Sequence, residues 1–162
     1  MTGDSAWHFA FSGDRILLAE GETPRLPTAR ELSAALSIDP GGLAGAQVPL
    51  RPLFGRPATA YDLPVDMDAP PGTALVGLRV LATLVPTEVF QRAGAALQKV
   101  EWLRTHGFCS RCGHPTERHA VHEAMACPRC GHLHFPRLSP AVIVLIERGR
   151  EMLLARSPRF PP

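Results

Sequence analysis

The chain has 162 residues, 45% of them hydrophobic, four cysteines and a formal net charge of +2. That length suits one ordinary domain, or a small one joined to a metal-stapled module, and no apolar run approaches what is needed to span a bilayer. The first residues lack the basic and apolar regions of a secretory signal, so a reducing setting, cytoplasmic or in an organellar matrix, is expected, and a charge of +2 is too small by itself to mark a polyanion partner.

Proline and glycine together number 31, which predicts short elements and frequent loops. Trp7 to Glu20 reads as a hairpin: an apolar run to Phe11, a turn at Ser12-Gly13-Asp14, and Ile16 to Ala19 returning. Thr28-Ala-Arg-Glu31 is a capping box that opens a helix through about Ile38, and Asp39-Pro40-Gly41-Gly42 ends it. Prolines interrupt the chain from Gly42 to Pro71, with short strands near Val48–Leu50 and Ala58–Leu63. Thr73 to Leu84 is apolar around Arg79, and its pattern does not separate strand from helix. After Pro86, Val89/Phe90, Ala93, Ala96/Leu97, Val100 and Leu103 recur at helical spacing. That stripe reads as core or subunit interface.

All four cysteines follow this helix, in two copies of one hexapeptide: Cys109-Ser-Arg-Cys112-Gly-His and Cys127-Pro-Arg-Cys130-Gly-His. Two residues between paired cysteines let a tight turn aim both sulfurs at one point. The glycine after each pair tolerates positive φ, so backbone N–H groups can turn toward the thiolates. Two facing turns supply the four sulfurs of a closed structural zinc site, with Cys109, Cys112, Cys127 and Cys130 as ligands. A short hairpin is expected to carry the second turn back over the first. A disulfide framework would need an oxidising compartment, and a thioredoxin-like motif would use one pair beside a βαβ unit. Six histidines lie between His106 and His134; with four thiolates already saturating zinc, they read as solvated or hydrogen-bonded surface groups.

Beyond the cysteines come His134-Phe135-Pro136-Arg137, then Ala141 to Glu147, a turn at Arg148-Gly149-Arg150, and Glu151 to Arg156, which together read as a second hairpin. The unbroken aliphatic run Val142 to Ile146 predicts a strand buried on both faces. Only sixteen residues follow it, so the chain is expected to stop early in a domain.

Trp102, His106, Phe108-Cys109 through Gly113, the second cysteine pair, Phe135-Pro136-Arg137 and Pro140-Ala141-Val142-Ile143 together resemble the NADH pyrophosphatases of the Nudix hydrolase superfamily. The match in order and spacing runs from about Thr73 to Arg156. The resemblance implies an α+β protein: a rudimentary Nudix-like domain over residues 1–104, a zinc ribbon over 105–136, and the first hairpin of a catalytic Nudix domain over 137–162. It implies hydrolysis of NAD(H) to nicotinamide mononucleotide and AMP, removal of NAD caps from RNA, a homodimer and no membrane. In that family a glutamate-rich Nudix box holds Mg²⁺ or Mn²⁺ against the pyrophosphate.

No complete box exists in this sequence. The nearest partial match is Glu22 with Arg30-Glu31-Leu32, where Ile16 replaces the opening glycine and Ala34-Ala35 the metal-binding glutamates. It reads as a decayed box or as the capping box alone, and no catalytic residue is expected in it. Mg²⁺ or Mn²⁺ is therefore expected only with the missing box. By the same resemblance Phe135 stacks on a base or nicotinamide ring, Arg79 reaches a substrate phosphate, and Glu123 answers a family glutamate, although counting back from Cys127 lands on His122. Phe135 as a packing aromatic and Arg79 as a structural ion pair are the alternatives. Two other functions remain open: a zinc-ribbon nucleic-acid module, since five arginines oppose Glu117 and Glu123 between Arg104 and Arg137, and a zinc-fixed dimerisation surface.

Overall fold

A computed structural model of the chain describes residues 6–37, 47–155 and 158–159. The helix stop expected at Asp39–Gly42 lies outside the described residues, as does Arg156. The architecture is α+β. The first hairpin pairs β1 (Trp7–Ser12) with β2 (Arg15–Ala19). Its two-residue loop puts Gly13, at φ 59°, in the first central position, where a type II′ turn needs positive φ.

The capping box opens α1 (Ala29–Leu36): the Thr28 hydroxyl accepts from the Glu31 amide, and the Glu31 carboxylate accepts from the Thr28 amide. β3 (Gln47–Leu53) and β4 (Arg56–Leu63) follow as the sequence suggested. The ambiguous apolar run resolves into both forms, β5 (Thr73–Gly77) and then α2 (Leu78–Leu84). β5 pairs along β2 until Gly77 meets Arg15, the first residue of that strand. Past that point no partner edge remains, so the backbone satisfies itself by coiling.

The five strands form one sheet in the order β3-β4-β1-β2-β5, with β1 and β4 parallel. Phe9, Phe11, Ile16 and Leu18 point to the face covered by α2 and by α3 (Thr87–Thr105), where they meet Leu81, Val89, Ala93, Ala96 and Val100. Ala10 and Leu17 point to the opposite face, against Leu32 of α1. Burial on both faces explains why β1 and β2 read as near-continuous apolar runs rather than alternating ones. Each large side chain so buried contributes roughly 1.5–3 kcal/mol relative to exposure. The α3 stripe is core.

Three short strands, β6 (Glu117–Arg118), β7 (Met125–Ala126) and β8 (Leu133–His134), make a small sheet in the order β6-β7-β8 around the cysteines. The second hairpin is present but brief, β9 (Glu147–Arg148) with β10 (Glu151–Met152). The expected strand over Val142–Ile146 does not form. These five residues lie outside any strand, although the Ile146 carbonyl accepts from the Leu153 amide at 3.0 Å, and they are 55% to 103% exposed. An apolar run becomes a buried strand only when other strands take its backbone groups and a layer covers its faces, and among the described residues neither exists here.

Candidate metal centre

The two hexapeptides fold as near copies. The Gly113 amide donates to the Cys109 carbonyl at 2.8 Å and the Gly131 amide to the Cys127 carbonyl at 2.9 Å. The Cys109 amide closes its loop on the His114 carbonyl at 2.8 Å, and the Cys127 amide on the His132 carbonyl at 3.0 Å. Gly113 and Gly131 have φ of 71° and 69°, the left-handed turn that a side chain would strain. That turn aims amides at sulfur, as the repeated glycine implied: Cys109 accepts from the Arg111 and Cys112 amides, and Cys127 from those of Arg129 and Cys130.

The four sulfurs all lie within 4.8 Å of one another. Cys112 is 3.5 Å from both Cys127 and Cys130, and Cys109 is 3.7 Å from Cys130. Zinc–sulfur bonds of about 2.3 Å place tetrahedron corners about 3.8 Å apart. A disulfide would need about 2.05 Å. The donor set and its dimensions fit structural Zn²⁺.

Electrostatics agree with a cation at the centre. Burial pushes the Cys127 thiol up, but amide and thiol hydrogen bonds outweigh it and leave the group at about 7. Cys109 is likewise raised by burial yet lowered on balance, first by a hydrogen bond with His134 and then by the two amides. Cys130 is pulled down by the His132 amide, but burial and hydrogen bonds with the three other sulfurs push it up to about 12. Four sulfurs this close cannot all ionise without a positive ion among them, because each thiolate raises the cost of the next.

The histidines are not all solvated. His134 is buried, its ring edge-on to those of His106 and His132, and it is among the groups that lower the Cys109 thiol. His106 Nδ1 lies 2.8 Å from the Trp102 carbonyl, so it closes the end of α3 before the first turn. His119 and His122 stack with centroids 4.8 Å apart.

Of the residues proposed to meet a substrate, Phe135 is 55% exposed, just past β8 and beside Pro136, with its ring 6.5 Å from that of His122. Glu123 forms an ion pair with Lys99 of α3. His122 and Glu123 thus occupy one corner with Phe135 nearby, whichever of the two answers the family's glutamate. Arg79 stands on the exposed side of α2, without a hydrogen bond or ion pair to any described residue. The Glu31 carboxylate is taken by Thr28 and by Arg25, at 2.6 Å.

Sequence reasoning missed the contacts that seat the ribbon. Lys99 donates to the Pro49 carbonyl at 3.1 Å while pairing with Glu123, and Arg118 donates to the Gln47 carbonyl at 3.1 Å. β3 is the sheet edge and carries Pro49 and Pro52, so these cations meet carbonyls that no neighbouring strand takes. The one lysine among seventeen basic residues was the available signal.

Residues 104–135 match the family described as the NADH pyrophosphatase zinc ribbon domain. The chain is 46% identical over 108 residues to an NAD-capped RNA hydrolase NudC of Stutzerimonas stutzeri, covering 67% of this chain and 39% of that protein. It is 37% identical over 163 residues to the NAD-capped RNA hydrolase NudC of Deinococcus radiodurans, covering 98% of this chain and 53% of the relative. A third, from Chromobacterium violaceum, is 43% identical over 101 residues, which are 38% of its length. The chain thus spans about half the length, or less, of these curated relatives.

Proposed function

The chain is a relative of the NAD(H) pyrophosphatases and carries their zinc ribbon, and from that premise we propose that it is the non-catalytic front part of such an enzyme. The complete enzyme would hydrolyse the pyrophosphate of NAD(H), free or as a cap on RNA, to nicotinamide mononucleotide and AMP. The observation that carries the reading is the pair of superposable cysteine turns within the segment matched by the family. In this reading residues 1–104 form a rudimentary Nudix-like domain, 105–136 the ribbon and 137–162 the start of the catalytic domain. Zinc held by Cys109, Cys112, Cys127 and Cys130 fixes the ribbon and takes no part in bond breaking.

What this chain adds is binding. Phe135 offers a flat, half-exposed face beside a rigid proline for a base or nicotinamide ring. Arg79, exposed and without an ion pair among the described residues, is available to a pyrophosphate oxygen, and Glu123 and His122 flank the aromatic. Phosphoryl hydrolysis needs a cation on the pyrophosphate and an activated water, which the Nudix glutamates would supply with Mg²⁺ or Mn²⁺. No such cluster occurs in this sequence. The working form is a cytoplasmic homodimer.

The test is to incubate the zinc-loaded 162-residue chain with NADH and Mg²⁺ or Mn²⁺, and to follow AMP release and NADH fluorescence. Binding without turnover is expected, and Phe135→Ala should weaken it by roughly 1–3 kcal/mol, the usual worth of one stacked base. Sustained AMP release by chain free of contaminating enzyme would sink the non-catalytic assignment.

A further inference from the structure

A groove of about 260 Å³ lies where α3, the end of β3 and the segment leaving the ribbon come together. Arg51, Arg92, Lys99 and Arg137 line it, with Glu123 the one carboxylate among the described lining residues. Two of these cations are already committed. Lys99 pairs with Glu123, and Arg92 donates to the Pro52 carbonyl at 3.4 Å. Arg51 and Arg137 are exposed and have no hydrogen bond or ion pair to any described residue, so two uncommitted guanidinium groups face one cleft.

Trp102, 7% exposed, forms part of the wall of this groove and of the neighbouring one under Arg118. A wall rich in donors and short of acceptors fits an oxygen-rich, negatively charged occupant. A single small anion would need one tight cradle. These cations are instead spread along a trough that continues toward Arg118 on the ribbon. Positive charge in a line follows a chain of phosphates.

We propose that this groove carries the phosphodiester backbone of single-stranded RNA, with Arg51 and Arg137 as its free phosphate contacts. The inference rests on the function reading above, in which a dinucleotide cap and its RNA are handled by one enzyme, and it names the surface that would hold the RNA behind the cap. The modest overall charge of +2 does not argue against it, because local clustering rather than net charge sets the field in a cleft.

The test uses the zinc-loaded chain and a short fluorescein-labelled single-stranded RNA without a cap, titrated by anisotropy from about 50 to about 200 mM salt. Affinity should fall steeply with salt, and the double variant Arg51→Ala/Arg137→Ala should flatten the log–log slope by about 1.4, since each lost single-strand phosphate contact is worth about 0.7. A charge-matched control, Arg30→Ala/Arg150→Ala, removes two cations that do not line the groove and should keep the wild-type slope. Glu123→Gln, which deletes the groove's carboxylate, should tighten binding. All three variants should keep wild-type zinc content. The groove is overturned if the chain does not bind the RNA, or if the double variant and the control lose slope equally. NADH binding is read in a separate titration, so its failure would strike the function reading without altering the RNA result.

Discussion

Glu31 shows how one residue can be spoken for several times over. Its hydrogen bond from Arg25, then those from the Thr28 amide and hydroxyl, hold its carboxyl down at about 2, against the partial burial that would raise it. A carboxyl depressed in the folded state contributes stability above its unfolded value of about 4.3, and that contribution is lost as pH falls toward 2. The side chain is more than a third exposed, so solvent keeps the contribution small. Thr28→Ala removes the hydroxyl cap and should cost about 1 kcal/mol in urea unfolding at neutral pH. Glu31→Gln should flatten the acid limb of stability between about 4.3 and 2, and an unchanged acid limb would contradict the assigned partners.

At the scale of the element, the ribbon and the sheet are held by different physics. The five-stranded sheet buries Phe9, Phe11, Ile16, Leu17 and Leu18 completely. The ribbon buries little beyond Cys109, Cys127, Ala124, Met125 and His134, and its strands are two residues each. A segment with so small a core depends on its metal, as small zinc modules do. Chelation, or Cys112→Ser, should therefore abolish amide hydrogen-exchange protection across β6, β7 and β8 and leave protection in β1 and β2 intact. Ribbon amides that stay protected after complete removal of zinc would refute that dependence. The Lys99–Glu123 pair is a surface contact worth less than about 1 kcal/mol, so it seats the ribbon without stabilising it much.

For the whole molecule, the notable feature is the apolar surface between Leu138 and Leu154. Leu138, Val142, Ile143, Val144, Leu145, Ile146, Met152, Leu153 and Leu154 are all more than half exposed. Contiguous apolar surface of that kind is uncommon on a soluble monomer and drives association. Sedimentation velocity across a dilution series should show the 162-residue chain self-associating, and Val144→Asp should shift it toward monomer. A species that ignores both dilution and the substitution would overturn this.

The sequence by itself determined the metal centre, because a tight Cys-x-x-Cys-Gly turn is local: its hydrogen bonds run between residues four or five apart. The first hairpin, the capping box and the α3 stripe were legible for the same reason, since each pattern lies within one element. Only the tertiary structure decided where Thr73–Leu84 changes from strand to helix, because that boundary is set by where β2 begins, some sixty residues earlier. It also decided that Val142–Ile146 forms no strand and stays uncovered, and that Lys99, Arg118 and Glu123 join the ribbon to an edge strand far away in the chain. Those outcomes depend on which distant backbone groups and faces remain unsatisfied, and apolar periodicity does not encode that.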